Sequence, residues 1–327
     1  MRINLFDPFN ESLQDAALVW LMSWAAPDQN GKLHDYSLKF LKFLYEKSQR
    51  ALPRLKSFSV VKQDANIDIY CLINQKTVLL IEDKVGTQEH DDQLRRYLDE
   101  MKNRGYTEIN PFYVQTGDQS NYEDVNKAGY TVITRKDLLA FFNENKTSQD
   151  EINNQILNDY VDYLLEKEAR VQSYKVLPLN DWHYESWIGF YQSLQERLGE
   201  GKWDYVPNAA GGFLGFWWHF GGNEDHEHYL QLEQERGLCF KIDGNSVEDN
   251  RKVMYQYRDH LVKEGPKYGV DVENPTRLRA GIYTTVAVLG EDYRKCNFDG
   301  TINMNATVGF LKALGAFLDL AMKDMQA

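Results

Sequence analysis

The stretch that most constrains this chain is residues 66–97. It opens with Asn66-Ile67-Asp68-Ile69-Tyr70, continues through Val78-Leu79-Leu80-Ile81-Glu82-Asp83-Lys84-Val85 and closes on Gln93-Leu94-Arg95-Arg96-Tyr97. The pattern predicts strand, turn, strand, helix. Ile67 to Ile73 is rich in β-formers around a single acid, Asp68, and Asn74-Gln75-Lys76 supplies the turn. Thr77 to Val85 stays apolar until three charges arrive together near its end. A continuous apolar run of that length marks a strand buried on both faces. Side chains alternate along a strand, so Glu82 and Lys84 share one face and Asp83 takes the other. Antiparallel pairing through the short turn brings Asp68 beside Glu82. Two carboxylates and an ammonium are therefore expected together at an exposed strand end.

Neighbouring carboxylates repel unless a cation lies between them, and carboxylate oxygens suit hard divalent ions such as Mg²⁺ or Mn²⁺. Such an ion polarises a phosphoryl oxygen and activates a water. Lys84 can stabilise the developing charge, or position or deprotonate that water. This is the outline of a phosphodiester hydrolysis site. The plain alternative is a surface ion-pair pattern, but a buried strand does not normally end in three charges without use for them.

Asp68, a spacer of thirteen residues and then Glu82-Asp83-Lys84 resemble the PD-(D/E)XK nuclease superfamily. Gln93-x-x-x-Tyr97 is similar to the helix motif of its RecB-like branch, and at that spacing the two side chains share a helix face. Asn10-Glu11, Trp20-Leu21, Gly31, His34 and Phe40-Leu41 resemble, in order, the leading helices of one family within the superfamily. The one departure is Ile67, which stands where the motif has proline. The resemblance implies an α/β fold with a restriction-endonuclease-like αβββαβ core. It implies an Mg²⁺- or Mn²⁺-dependent nuclease acting on nucleic acid, DNA before RNA. Asp68, Glu82, Lys84, Gln93 and Tyr97 are the implied catalytic residues, and Asp68 and Glu82 the metal pair. Asp83 contributes to the metal through its backbone carbonyl, and Glu11 approaches it from the leading helix. A first-turn acid beside the capping residue Asn10 also suits a helix dipole, so Glu11 has a second, structural reading. Gln93 and Tyr97, lacking charge, are expected to orient water, a metal ligand or a phosphate oxygen.

The 327 residues are enough for two domains. A net charge of −12, spread evenly over both halves, argues against a general nucleic-acid coat. Any basic groove must be local. Arg95, Arg96, Lys102 and Arg104 could supply it, or could balance Glu89, Asp91, Asp92, Asp99 and Glu100 on a solvated helix face. Cys71, Cys239 and Cys296 look like free thiols of a reducing compartment. The first residues lack a signal-peptide pattern, and no stretch reaches eighteen apolar residues. The expected location is cytoplasmic, without a membrane contact.

Periodicity and turn residues predict helices over 10–25 and 35–52, strands over 57–63, 67–73 and 77–84, and a helix over 87–104. Strands over 110–116 and 130–134 and a helix over 135–143 complete the αβββαβ order. In the first helix Asn10 is the expected cap, and Leu13, Ala17, Trp20, Leu21 and Trp24 the core face. One long helix is expected over 149–174, then a linker over 175–180. This divides the chain into a nuclease-like domain, 1–174, and a smaller α+β domain, 175–327. The second domain is expected to select a target or partner, or to self-associate, and not to cut. It is predicted as helices over 181–198, 248–264 and 307–325 around strands at 203–206, 212–220, 229–234, 238–242 and 277–288. His219, His226 and His228 with Asp225 and Glu227 could ligate zinc, but they flank a charged hairpin turn, the simpler reading. Phe213 to Trp218 could stack bases, but an aromatic strand is more often core. For the whole chain, the rival reading is a non-catalytic interaction protein that kept the fold, with Asp68, Glu82 and Lys84 as an ion-paired cluster.

Overall fold

The computed structural model describes residues 4–6, 11–64, 66–86, 89, 92–208, 211–222, 226–234 and 237–326. The expected cap Asn10, Asp91 and the hairpin residues 223–225 lie outside the described residues. The chain divides into two compact units, 1–169 and 170–327.

The first unit opens with helices α1 (Glu11–Ser23) and α2 (Lys32–Lys47). The second begins and ends earlier than its sequence period suggests. Gly31, at φ +87°, starts it, its carbonyl accepting from Asp35 N (3.1 Å), and Gln49, at φ +57°, breaks it. Strands β1 (Phe58–Asp64), β2 (Ile67–Ile73) and β3 (Thr77–Lys84) then form an antiparallel meander. Asn74 and Gln75 both take positive φ in the β2–β3 turn. Asn74 is anchored there because its Oδ1 accepts from Lys56 N (2.7 Å) and its Nδ2 donates to Arg54 O (2.9 Å). Helix α3 (Gln93–Asn103) carries the chain across to β4 (Glu108–Gln115), parallel to β3. A short helix that the sequence does not announce, α4 (Glu123–Lys127), leads into β5 (Thr131–Thr134), parallel to β4. The mixed sheet has the order β1-β2-β3-β4-β5.

Strand β3 lies in the middle and is covered on both faces. Val78 and Leu80 join Tyr70, Leu94, Tyr97 and Met101 on the α3 side. Leu79 and Ile81 join Leu18, Leu21, Phe40 and Phe112 on the α1–α2 side. Each such side chain contributes about 1.5–3 kcal/mol on full burial, which offsets the desolvation of the charges that follow. Helices α5 (Arg135–Glu144), α6 (Lys146–Ile152) and α7 (Gln155–Gln172) complete this half of the chain. The single long helix expected from residue 149 is broken. Asn153 sits at φ +48°, and Asn154 Oδ1 accepts from Ile156 N and Leu157 N to start α7 afresh.

The second unit contains α8 (Tyr184–Leu198), β6 (Lys202–Val206), β7 (Phe213–Gly222), β8 (His226–Glu233), β9 (Gly237–Gly244), α9 (Val247–Glu264), β10 (Val272–Glu273), β11 (Tyr283–Leu289) and α10 (Met304–Gln326). Its strands form one antiparallel sheet, β10-β11-β9-β8-β7-β6. Leu214, Phe216 and Trp218 are buried with Trp187, Phe190 and Leu311, so the aromatic run is core on one face. The expected linker is fastened down: Leu179 N donates to Gly300 O (3.1 Å), and Trp182 Nε1 to Leu177 O (3.1 Å). By length and composition α10 could cross a membrane. Charges at Lys312 and Asp319 interrupt its apolar run, which is why a continuous count overlooks it. Its Leu311, Leu314, Phe317, Leu318 and Ala321 are buried in the unit's core, and that burial accounts for the composition.

Candidate active site

The β2–β3 register pairs Ile69 with Ile81, and its continuation sets Asp68 opposite Glu82. Directly opposed residues share a face, so Asp68, Glu82 and Lys84 point the same way. Glu82 is fully buried and Lys84 only 8% exposed. The expectation of an exposed strand end is thus corrected: strands on both sides and α3 above enclose these charges.

Glu82 Oε1 accepts two hydrogen bonds, from Lys84 Nζ (2.6 Å) and Gln93 Nε2 (2.7 Å). Its other oxygen, Oε2, is buried without a partner. Gln93 Nε2 also donates to the Tyr97 hydroxyl at 2.8 Å, so the two residues one helical turn apart act as a unit facing Glu82. Burial, followed by the nearby Asp68 charge, pushes the Glu82 carboxyl up to about 8, against the lowering pull of Lys84. Burial works against the Lys84 ammonium, but Glu82, Asp68 and Glu11 outweigh it and raise its pKa.

Asp83 points to the opposite face, as alternation requires. Its backbone N–H donates to Asp68 Oδ2 (3.1 Å). Its side chain is buried, with Oδ1 accepting from Gln14 Nε2 and Oδ2 unpartnered. Burial first, eased by the Gln14 hydrogen bond and reinforced by Asp15, Asp68 and Glu11, holds the Asp83 carboxyl well above the usual range. Asp15 is raised to about 6 by burial and by Asp68, with Lys62 Nζ 3.8 Å away as a partial counterweight. Glu11 Oε1 accepts a long hydrogen bond from Val85 N (3.4 Å), so α1 does bring this acid to the end of β3.

Gln14, Asp15 and Thr116 are the members that the sequence reading missed. The buried face of α1 is Gln14, Asp15, Ala17, Leu18, Leu21 and Met22, whereas Leu13 and Trp20 are only partly buried. The expected face is therefore rotated, and two polar residues occupy core positions because partners await them there: Asp83 on β3 and Thr116 for Gln14, and Lys62 on β1 for Asp15. The available signal was Gln14 in phase with Leu18 and Leu21 on an otherwise apolar helix stripe.

The strand end is also tightly covered. A Cβ on Gly117 would stand 1.9 Å from the Val85 carbonyl oxygen. Gly117→Ala is expected to destabilise the protein by about 1–3 kcal/mol through forced displacement of that strand; an unchanged thermal midpoint would show that the strand end yields freely.

Of the candidate groove cations, Arg104 is bound to Asp64 (2.6 Å) and Glu100 (2.9 Å), Lys102 to Asp99 (3.0 Å), and Arg95 lies 3.8 Å from Asp92. Three of the four therefore balance acids, and Arg96 is exposed. A cleft of about 310 Å³ opens beside Gln93, walled by Glu89, Asp92, Arg95, Asp124 and Lys127. In the second unit, His219 is held by Asp319 (3.0 Å) and Glu200 (3.6 Å). Among the described residues, no three His, Cys, Asp or Glu side chains are already gathered in an arrangement that could hold a metal.

Residues 38–168 match the family model of the PD-(D/E)XK nuclease superfamily. The match supports the resemblance of this part of the chain to that superfamily, whose nucleases generally use divalent metals. The matched span contains Asp68, Glu82, Lys84, Gln93 and Tyr97, while Glu11, Gln14 and Asp15 precede it. No curated protein and no solved structure matches the chain.

Proposed function

We propose that the N-terminal unit hydrolyses phosphodiester bonds of nucleic acid, DNA before RNA, with Mg²⁺ or Mn²⁺ held by Asp68 and Glu82. One observation carries this reading. Glu82 is a fully buried carboxylate with one oxygen fixed by Lys84 and Gln93 and the other unpartnered, across the hairpin from a second carboxylate. Leaving a buried carboxyl oxygen unsatisfied is costly, and a hard cation is a ligand that an all-oxygen donor set accommodates once the proton has left. Glu11, on α1, is the third oxygen donor within reach of the strand end.

Asp68 and Glu82 would hold the cation, which would neutralise their paired charges and supply the polarisation of a phosphoryl oxygen. The chain's own residues do the rest. Gln93, steadied by Tyr97, holds the Glu82 carboxylate in one orientation. The Lys84 ammonium lies on the same face and can turn from Glu82 to a phosphate oxygen as negative charge develops. The wall of the Gln93 cleft carries three carboxylates against two cations, so a polyanionic substrate there depends on bound cations for part of its attraction. The second unit is proposed to select a target or partner.

The rival reading, a retained fold without catalysis, draws on the 2.6 Å Glu82–Lys84 ion pair and on the lack of a gathered three-ligand cluster among the described residues. The deciding measurement is Mn²⁺ binding by titration calorimetry together with cleavage of labelled single- and double-stranded DNA and RNA. Metal-dependent cleavage that EDTA abolishes is expected. A pure protein that binds no Mn²⁺ and cuts none of the four substrates is the rival.

A further inference from the structure

Gln14 is fully buried, and both ends of its amide are used across distant segments. Its Nε2 donates to Asp83 Oδ1 and lies 3.5 Å from the Lys84 carbonyl, while its Oε1 accepts from Thr116 Oγ1. Thr116 N in turn donates to the Lys84 carbonyl at 3.0 Å. One amide thus ties α1, the end of β3 and the residue after β4 into a single joint, and the Thr116 hydroxyl fixes which way the amide faces. Three residues before Gln14, on the same helix face, Glu11 reaches Val85 N on that strand end.

We infer that Gln14 is a positioning residue. Gripping Asp83 and Thr116, it sets the rotation and depth of α1 so that the Glu11 carboxylate stands at the metal pair. This rests on the reading of Asp68 and Glu82 as metal ligands. It also explains the middle residue of Glu82-Asp83-Lys84, whose side chain, on the far face of the strand, holds the helix that carries Glu11. A side chain that orients a ligand shows itself in metal affinity, whereas one that only packs does not.

The test is a double-mutant cycle on Mn²⁺ affinity with Gln14→Met, Glu11→Gln and the pair, beside Thr116→Val and Thr116→Ser. Gln14→Met and Thr116→Val should each weaken Mn²⁺ binding about 10- to 100-fold. At saturating Mn²⁺ the KM for a DNA duplex should stay within about twofold, because substrate binding itself is not what is lost. Thr116→Ser, which keeps the hydroxyl, should bind as wild type does. Because Gln14 acts through Glu11, the double variant should be no weaker than Glu11→Gln alone. Additive losses in the cycle, or wild-type affinity in Thr116→Val, overturn the inference. Should Gln14→Met fail to fold, the Thr116 pair decides. If the wild-type protein binds no Mn²⁺, the nuclease reading falls by itself. The joint is then judged by amide exchange at Val85: faster exchange in Thr116→Val but not in Thr116→Ser upholds it, and unchanged exchange overturns it.

Discussion

Glu82→Gln is expected to abolish metal-dependent cleavage, by about 10³-fold or more, because several kcal/mol of metal-supplied stabilisation depend on that ligand. The amide keeps the volume and can still accept from Lys84 and Gln93, so the protein stays folded. Glu82→Ala would leave a cavity and a buried ammonium without its partner, and would confuse the two effects. Burial and the Asp68 charge raise the carboxyl from 4.5 to about 8. A carboxyl so raised contributes stability that is fully present below about 4.5 and is lost as pH rises through about 8. In EDTA, the wild-type thermal midpoint should therefore fall across that window, and Glu82→Gln should flatten the fall. The same proton must leave before a metal can bind, so Mn²⁺ affinity in the wild type should climb towards pH 8. A Glu82→Gln variant that cuts within tenfold of wild type would remove Glu82 from the site, and one that titrates in EDTA as wild type does would show that its carboxyl is not the group behind the fall.

Lys84→Met should lower kcat by about 10²- to 10³-fold, the usual loss when a group that meets transition-state charge is deleted. Methionine keeps much of the buried stem, so packing changes little. The assay is run at saturating Mn²⁺ because Lys84 lies 2.6 Å from a proposed ligand oxygen and its removal also alters metal binding. Turnover restored to wild type by added Mn²⁺ would mean that Lys84 serves only to hold Glu82, and the assignment to phosphate or water would fail.

Much of the candidate site's geometry was legible in residues 66–97 because its logic is local. Period-two alternation on one strand places Glu82 with Lys84 and turns Asp83 away. A helical spacing of four makes Gln93 and Tyr97 neighbours, and here they are hydrogen-bonded at 2.8 Å. A turn of three residues suffices to bring Asp68 across from Glu82. What the tertiary structure alone decided is everything that depends on a distant segment choosing a face. Gln14 meets Asp83 across 69 residues of sequence and Thr116 across 102, and no local period carries that information. The rotation of α1, the burial of a strand end that looked exposed and the contact of the Asp83 side chain with α1 all follow from it. A buried polar group must find its partners wherever packing puts them, so the helix turned to present Gln14 and Asp15, not Leu13 and Trp20, to the strand.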